Sequence, residues 1–143
     1  MAINQITVFL ENKAGALLDV TKVLSDNKVD LRAINIAETA DYGLLRMITA
    51  DNASAEKVLK TQGLIFTETP VLAVAIADKI GALSEVLEVL AKENIDVHYM
   101  YSIFGHQNGF AYMIMQVAEV DKATEILKAN GVTIAEPCDL QIG

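Results

Sequence analysis

Gly15 and Gly81 each follow an apolar, β-branched run and precede an amphipathic helical pattern. A glycine at such a point lets the backbone approach a ligand closely. The residues after it open a helix, whose first amides have no carbonyl partner within it. Those amides, together with the positive end of the helix dipole, favour a carboxylate. The chemistry this predicts is anion binding at two loops. One comprises Asn12, Ala14, Gly15, Ala16 and Leu17; the other comprises Asp78, Ile80, Gly81, Ala82 and Leu83. The same residues also admit a purely structural role, with glycine tightening a strand-to-helix turn while Asn12 or Asp78 caps the helix.

Other reactive side chains form no comparable pattern. His98, His106 and Cys138 are scattered, with none of the short paired spacings of a zinc site, so neither a metal nor another cofactor is expected. His106 falls in the Gly105–Gly109 turn, where a solvated side chain is the default. Ser102 has no Gly-x-Ser-x-Gly elbow around it, and Cys138 has no motif that would activate a thiolate. No phosphate-cradling glycine motif occurs, and the chain does not read as an enzyme. His98, Tyr99, Met100 and Tyr101, with Phe104, Phe110 and Tyr112, concentrate aromatic bulk in the second half. That cluster suits core and interface packing, or one wall of an apolar pocket. Simple alternation places His98 with Met100 on one face and Tyr99 with Tyr101 on the other.

The composition limits the partners. The 143 residues carry 11 basic and 19 acidic side chains, a net charge of -8. Such a surface repels phosphate on average, which argues against nucleic acid. Hydrophobic residues make up 52% and charged residues 21%, enough for a packed core. One cysteine leaves no internal disulfide and suits a reducing compartment. No signal-peptide pattern opens the sequence. Its longest apolar run, residues 71–77, is far short of the ~20 residues of a bilayer span. A cytoplasmic protein with no membrane partner is expected.

The positioning elements occur twice. A shift of 66 residues gives 11 identities across the 37 positions from Asn12 to Ile48, among them Lys13 with Lys79, Gly15 with Gly81 and Asp30 with Asp96. Strands are predicted over 6–10 and 71–77, and helices follow on apolar faces such as Leu83, Val86, Leu87 and Leu90. Second strands are expected over 30–38 and 96–104, and third strands over 44–50 and 110–117. On the earlier second strand, Ile34 and Ile36 are expected opposite Leu31 and Ala33. Short second helices end at Gly63 and Gly131, where positive φ is needed. Final strands are expected over 64–68 and 132–136, with 140–142 as an extension. The fold class is α+β: two ferredoxin-like βαββαβ units, each an antiparallel sheet with its helices on one face. Domain boundaries fall at 1–69 and 70–143, with Pro70 at the junction. Several strands are apolar on both faces, so a second sheet surface needs cover from the other repeat or another subunit.

The segments Asn12-Lys13-Ala14-Gly15-Ala16-Leu17 with Val29-Asp30-Leu31, and Asp78-Lys79-Ile80-Gly81-Ala82-Leu83 with Ile95-Asp96-Val97, resemble the ACT domain family. The resemblance covers nearly the whole chain as a tandem pair. It implies a regulatory module that binds a small molecule, a free amino acid, at an interface between paired units. Ala14 and Ile80 stand where the family commonly has proline. Asp30 and Asp96 stand where it often has an asparagine that helps hold the ligand. An aspartate accepts from an α-ammonium group and repels a carboxylate. The resemblance also implies pairing into a homodimer and a regulated enzyme as partner. The alternative is a ligand-free protein-interaction subunit that attaches to a metabolic enzyme or transporter.

Overall fold

The computed structural model describes residues 3–105 and 109–142. Contacts divide the chain into two compact units, one spanning Asn4–Thr69 with Gln141 and Ile142, and the other Pro70–Leu140 with Ile3. In the first, β1 (Ile3–Leu10) leads to α1 (Ala16–Asp26), β2 (Leu31–Glu38), β3 (Gly43–Thr49) and α2 (Asn52–Thr61). Antiparallel β1 and β3 pair from Ile6 opposite Met47 to Leu10 opposite Gly43, and β2 pairs with the other edge of β3. The fourth strand position is taken by the chain after α2, where Phe9 donates its amide to the Ile65 carbonyl at 3.0 Å.

The core shows why these residues choose these elements. Ile6, Val8 and Leu10 recur at every second position of β1, and Leu45 and Met47 do so on β3. Val20 with Leu24, and Ala55 with Leu59, recur at the helical spacing of four. All are buried in one cluster, so both helices lie on the same sheet face. Gln5, Thr7, Ala33 and Ile48, outside that cluster, are buried as well.

The second unit repeats the plan. The long strand β4 (Phe66–Ala77) enters it and leads to α3 (Ala82–Lys92), β5 (Val97–Ser102), β6 (Phe110–Val117) and α4 (Val120–Ala129). Antiparallel pairing runs from Leu72 opposite Met115 to Ala77 opposite Phe110. Its core sets Leu72, Val74 and Ile76 against Met115 and Val117, covered by Val86, Leu90, Ala123 and Leu127. Among the described residues, six antiparallel strands and four α-helices thus build two ferredoxin-like units.

Four local expectations need correction. The expected strands 64–68 and 71–77 are one strand, Phe66–Ala77, that runs through Pro70. Proline's fixed φ is compatible with extended backbone and removes only a donor. The expected strand 132–136 shrinks to a bridge between Ile134 and Val74, flanked by bonds from Ala75 to Thr133 and from Ala135 to Ala73. The expected extension over 140–142 is not a strand, because Pro137–Leu140 winds into a short 3-10 helix. Finally, bulges between Leu31 and Ala33 and between Val97 and Tyr99 break the simple alternation. Leu31 therefore packs on the same core as Ile34, and Val97 packs with Met100, while His98 is exposed.

α2 is capped by Asp51, whose carboxylate accepts from the Ser54 hydroxyl at 2.7 Å and the Ser54 amide at 3.2 Å. Those bonds hold the Asp51 carboxyl below its ordinary range. On the same helix, Glu56 is pushed above the usual range, first by sharing a hydrogen bond with Glu68 and then by burial. The two shifts act oppositely on stability. The Asp51 contribution is present at neutral pH and lost as pH falls through its lowered value. The Glu56 penalty is present at neutral pH and relieved as pH falls through its raised value. Glu56→Gln should therefore raise the neutral-pH melting temperature and remove that acid-side gain, as read by thermal melts across a pH series.

Candidate functional site

The two loops have the same geometry. Gly15 has φ 90° and ψ -13°, and Gly81 has φ 86° and ψ -6°. The Ala16 and Ala82 amides each donate at 3.3 Å to the carbonyls of Lys13 and Lys79. With glycine third in each four-residue turn at these angles, Lys13–Ala16 and Lys79–Ala82 match a type II turn. The next contacts repeat too, with Asp19 donating to Gly15 at 2.9 Å and Glu85 to Gly81 at 3.0 Å.

The helix caps differ from expectation. Gly15 and Gly81 occupy the N-cap positions, and neither helix has a side-chain cap bond. Asn12 and Asp78 therefore do not cap. Asn12 instead donates from Nδ2 to the Thr39 carbonyl at 3.0 Å, which ties the loop to the β2–β3 turn. An added β-carbon at Gly43 would meet the Asn12 side-chain oxygen at 3.4 Å, so that approach is close. Asp78 makes its tie through the backbone, donating to Gly109 at 2.9 Å.

Because the Ala16 and Ala82 amides turn back into the loop, the amides left for an incoming anion are those of Leu17 and Leu18, and of Leu83 and Ser84. All four residues lie in the first helical turns, and a carboxylate there gains from both hydrogen bonding and the dipole. The Ala82 side chain is buried and packs inward, so its contribution is confined to the backbone. Lys13 and Lys79 add a cation at each loop. They pair loosely with Glu11 at 3.1 Å and Glu85 at 3.9 Å, and all four side chains are mostly exposed. These lysines were visible as repeat identities, but their place beside the loop emerges only from the fold.

In the first unit the loop forms one side of a cleft of about 470 Å³. Asn12, Lys13, Ala14 and Leu17 face Ile36 and Glu38 at the end of β2 across it. Asp30 is not brought there. It precedes β2, beside the end of α1, in a separate surface depression with Ser25 and Lys28. Six residue steps, mostly along β2, separate Asp30 from Ile36, roughly 20 Å. Its carboxylate instead pairs with Arg32 at 3.2 Å. Asp96 precedes β5 in the same way. Within one unit, then, neither aspartate joins its glycine loop.

Large apolar side chains surround the same ends of the units. Leu18, Ile36 and Tyr42 are exposed in the first, and Ile80, Leu83, Phe104 and Phe110 in the second. Ile80 is fully exposed, at 103%. Elsewhere, His98 Nδ1 contacts Gln116 Oε1, and Cys138 is free and exposed. His106 lies outside the described residues. Among the described residues, no group of three potential ligands could hold a metal, and no helix is long and apolar enough to cross a membrane.

The second position of a type II turn favours φ near that of proline. Ala14→Pro should raise stability by about 0.4–1 kcal/mol by restricting the unfolded chain. Chemical denaturation measures this directly.

Comparison with known proteins bears on the whole chain. A family profile described as an ACT domain pair matches residues 1–141. A crystal structure of a protein from Bacteroides thetaiotaomicron is 37% identical, with TM-score 0.90, covering 99% of this chain and 96% of that one. The regulatory subunit of aspartate kinase from Thermus thermophilus, in a ligand-free form, shares the fold at 10% identity and TM-score 0.61, covering 90% and 93%. Its counterpart from Thermus flavus aligns with TM-score 0.58 and 11% identity, covering 90% and 92%. No curated protein matches the sequence. With a profile match over almost every residue, and with both halves built on one βαββαβ plan, the chain belongs to the ACT domain family as an ACT domain pair.

Proposed function

We propose that this protein is a non-catalytic cytoplasmic regulator that senses a free amino acid at an interface between ACT units. We read its halves, 1–69 and 70–143, as two domains of a homodimer-forming chain that conveys the ligand signal to an enzyme. The observation that carries this reading is the loop built twice, with matching glycine angles and open amides. Lys13 or Lys79 and the amides of residues 17–18 or 83–84 receive the carboxylate. The loop segments at Asn12 and Ala14–Leu17, and at Asp78 and Ile80–Leu83, shape the site. Asp30 meets the ammonium group only if another unit supplies it, since it is remote from its own loop, and Asp96, which precedes β5 as Asp30 precedes β2, is read in the same way. The regulatory subunits of aspartate kinase named above, which share the fold, support a regulatory role by analogy.

Regulation then follows from differential binding, because a ligand that bridges two units stabilises the arrangement in which both contact it. Calorimetry of the purified chain against the twenty amino acids tests this. Binding of at least one below millimolar concentration is expected; no binding to any contradicts it.

A ligand-free interaction subunit is the second reading, favoured by exposed Ile80, Leu83, Phe104 and Phe110. It predicts a stoichiometric copurifying protein and a melting temperature indifferent to every amino acid.

A further inference from the structure

A second cleft lies on the other flank of the first loop, between α1 and the turn from α2 to β4. It measures about 340 Å³, within the range of small-molecule sites. Its apolar wall is formed by Leu10, Val20, Val23, Leu64 and Ile65, and Glu11 and Gln62 line it as well. Ile65 is 71% exposed, leaving an apolar rim that an occupant would cover. Both signs of charge also line this cleft, in Lys13 and Asp19. Among the described residues Asp19 forms no ion pair, and Lys13 pairs only with exposed Glu11.

Resting on the reading that the chain binds a free amino acid, we propose that this cleft selects one with an apolar side chain. The side chain enters between Val23 and Leu64, the carboxylate meets Lys13 and the ammonium group meets Asp19. A charged side chain is rejected because the apolar walls give it no partner in exchange for water.

The second repeat differs at the residues that matter. Val132 replaces Leu64 and Thr133 replaces Ile65, so the equivalent walls are smaller and more polar. Glu85 replaces Asp19 and is engaged by Lys79 at 3.9 Å. One apolar amino acid per chain, in the first repeat, follows.

Calorimetry of the full chain with L-leucine, L-phenylalanine, L-aspartate and L-lysine tests the proposal, on the native protein and on Val23→Trp, Asp19→Asn and Val89→Trp. Native protein should bind leucine or phenylalanine at one per chain and should discriminate against aspartate and lysine. Val23→Trp fills the cleft and Asp19→Asn removes the ammonium partner; each should weaken binding about tenfold or more. Val89→Trp, in the second repeat, should leave binding unchanged. Asp19 is exposed, so its variant reports even if Val23→Trp fails to fold. Unchanged binding in Asp19→Asn and in folded Val23→Trp would overturn the cleft while leaving amino-acid sensing intact. Preference for aspartate or lysine would overturn the ligand class. Failure of the native protein to bind any amino acid would overturn the sensing reading, and the cleft with it.

Discussion

Leu24→Ala and Leu90→Ala should each cost about 3–5 kcal/mol of stability, and by similar amounts. Leu24 is 0% and Leu90 1% exposed, and they occupy equivalent places on α1 and α3. Each faces an apolar sheet surface, Val8 and Met47 in one unit and Val74 and Met115 in the other. Each carbonyl also accepts the bond that closes its helix, from Val29 at 2.9 Å and from Ile95 at 2.9 Å. Truncation opens a cavity where neither helix nor sheet can collapse freely. A loss of this size is a large share of the stability of a small domain. Denaturant titration of both variants reads it, and a negligible loss at either position would contradict the assigned core.

Gly15→Asp combined with Gly81→Asp should weaken amino-acid binding about 100-fold or more while the chain stays folded. No atom lies within 4 Å of an added β-carbon at either glycine, so the side chains have room. The angles φ 90° and φ 86° are strained for an L-residue, but aspartate tolerates the left-handed region better than most. At an N-cap, its carboxylate is placed to accept from the helix amides, which are the donors assigned to the ligand. It also repels a second carboxylate. Losing two hydrogen bonds to a charged group, at about 1.5–3 kcal/mol each, accounts for a loss of that order. Gly15→Ala with Gly81→Ala carries the same backbone strain without the charge and should retain most of the binding. Equal loss in the alanine and aspartate variants would place the effect in the turn geometry rather than the amides.

The elements were legible because the repeat doubled every signal. The span 110–117 for β6 was read from its residues alone, and Gly63 and Gly131 end their helices at φ 70° and φ 78° as expected. Lys28 and Asn94 adopt the same left-handed conformation, at φ 60° and φ 58°, where no glycine advertises it. There the bonds from Lys28 to Ser25 and Val29 to Leu24 compensate for the strain, as do those from Asn94 to Ala91 and Ile95 to Leu90. Asn94 carries a weak signal, since asparagine tolerates this conformation, but Lys28 carries none.

The strand bulges were hidden for a related reason. Reading alternate faces assumes one residue per step, and the extra residues before Ala33 and Tyr99 shift every later side chain. Placing Asn12 and Asp78 as caps failed because the glycine turn puts three residues between each of them and its helix. The remoteness of Asp30 from Gly15 was implicit in the topology. A helix that starts at the loop ends at the opposite end of the sheet, and β2 begins there. The cleft behind α1 was not legible, since its walls come from β1, α1 and the turn before β4.

In the proposed mode of sensing, main-chain donors at two duplicated helix starts receive a ligand's carboxylate. Amide-resolved NMR, following proton and nitrogen shifts as an amino acid is added to the labelled protein, tests it most directly. The largest changes are expected on the amides of Leu17 and Leu18, of Leu83 and Ser84, or of both pairs. Saturable binding that leaves all four unmoved would contradict it.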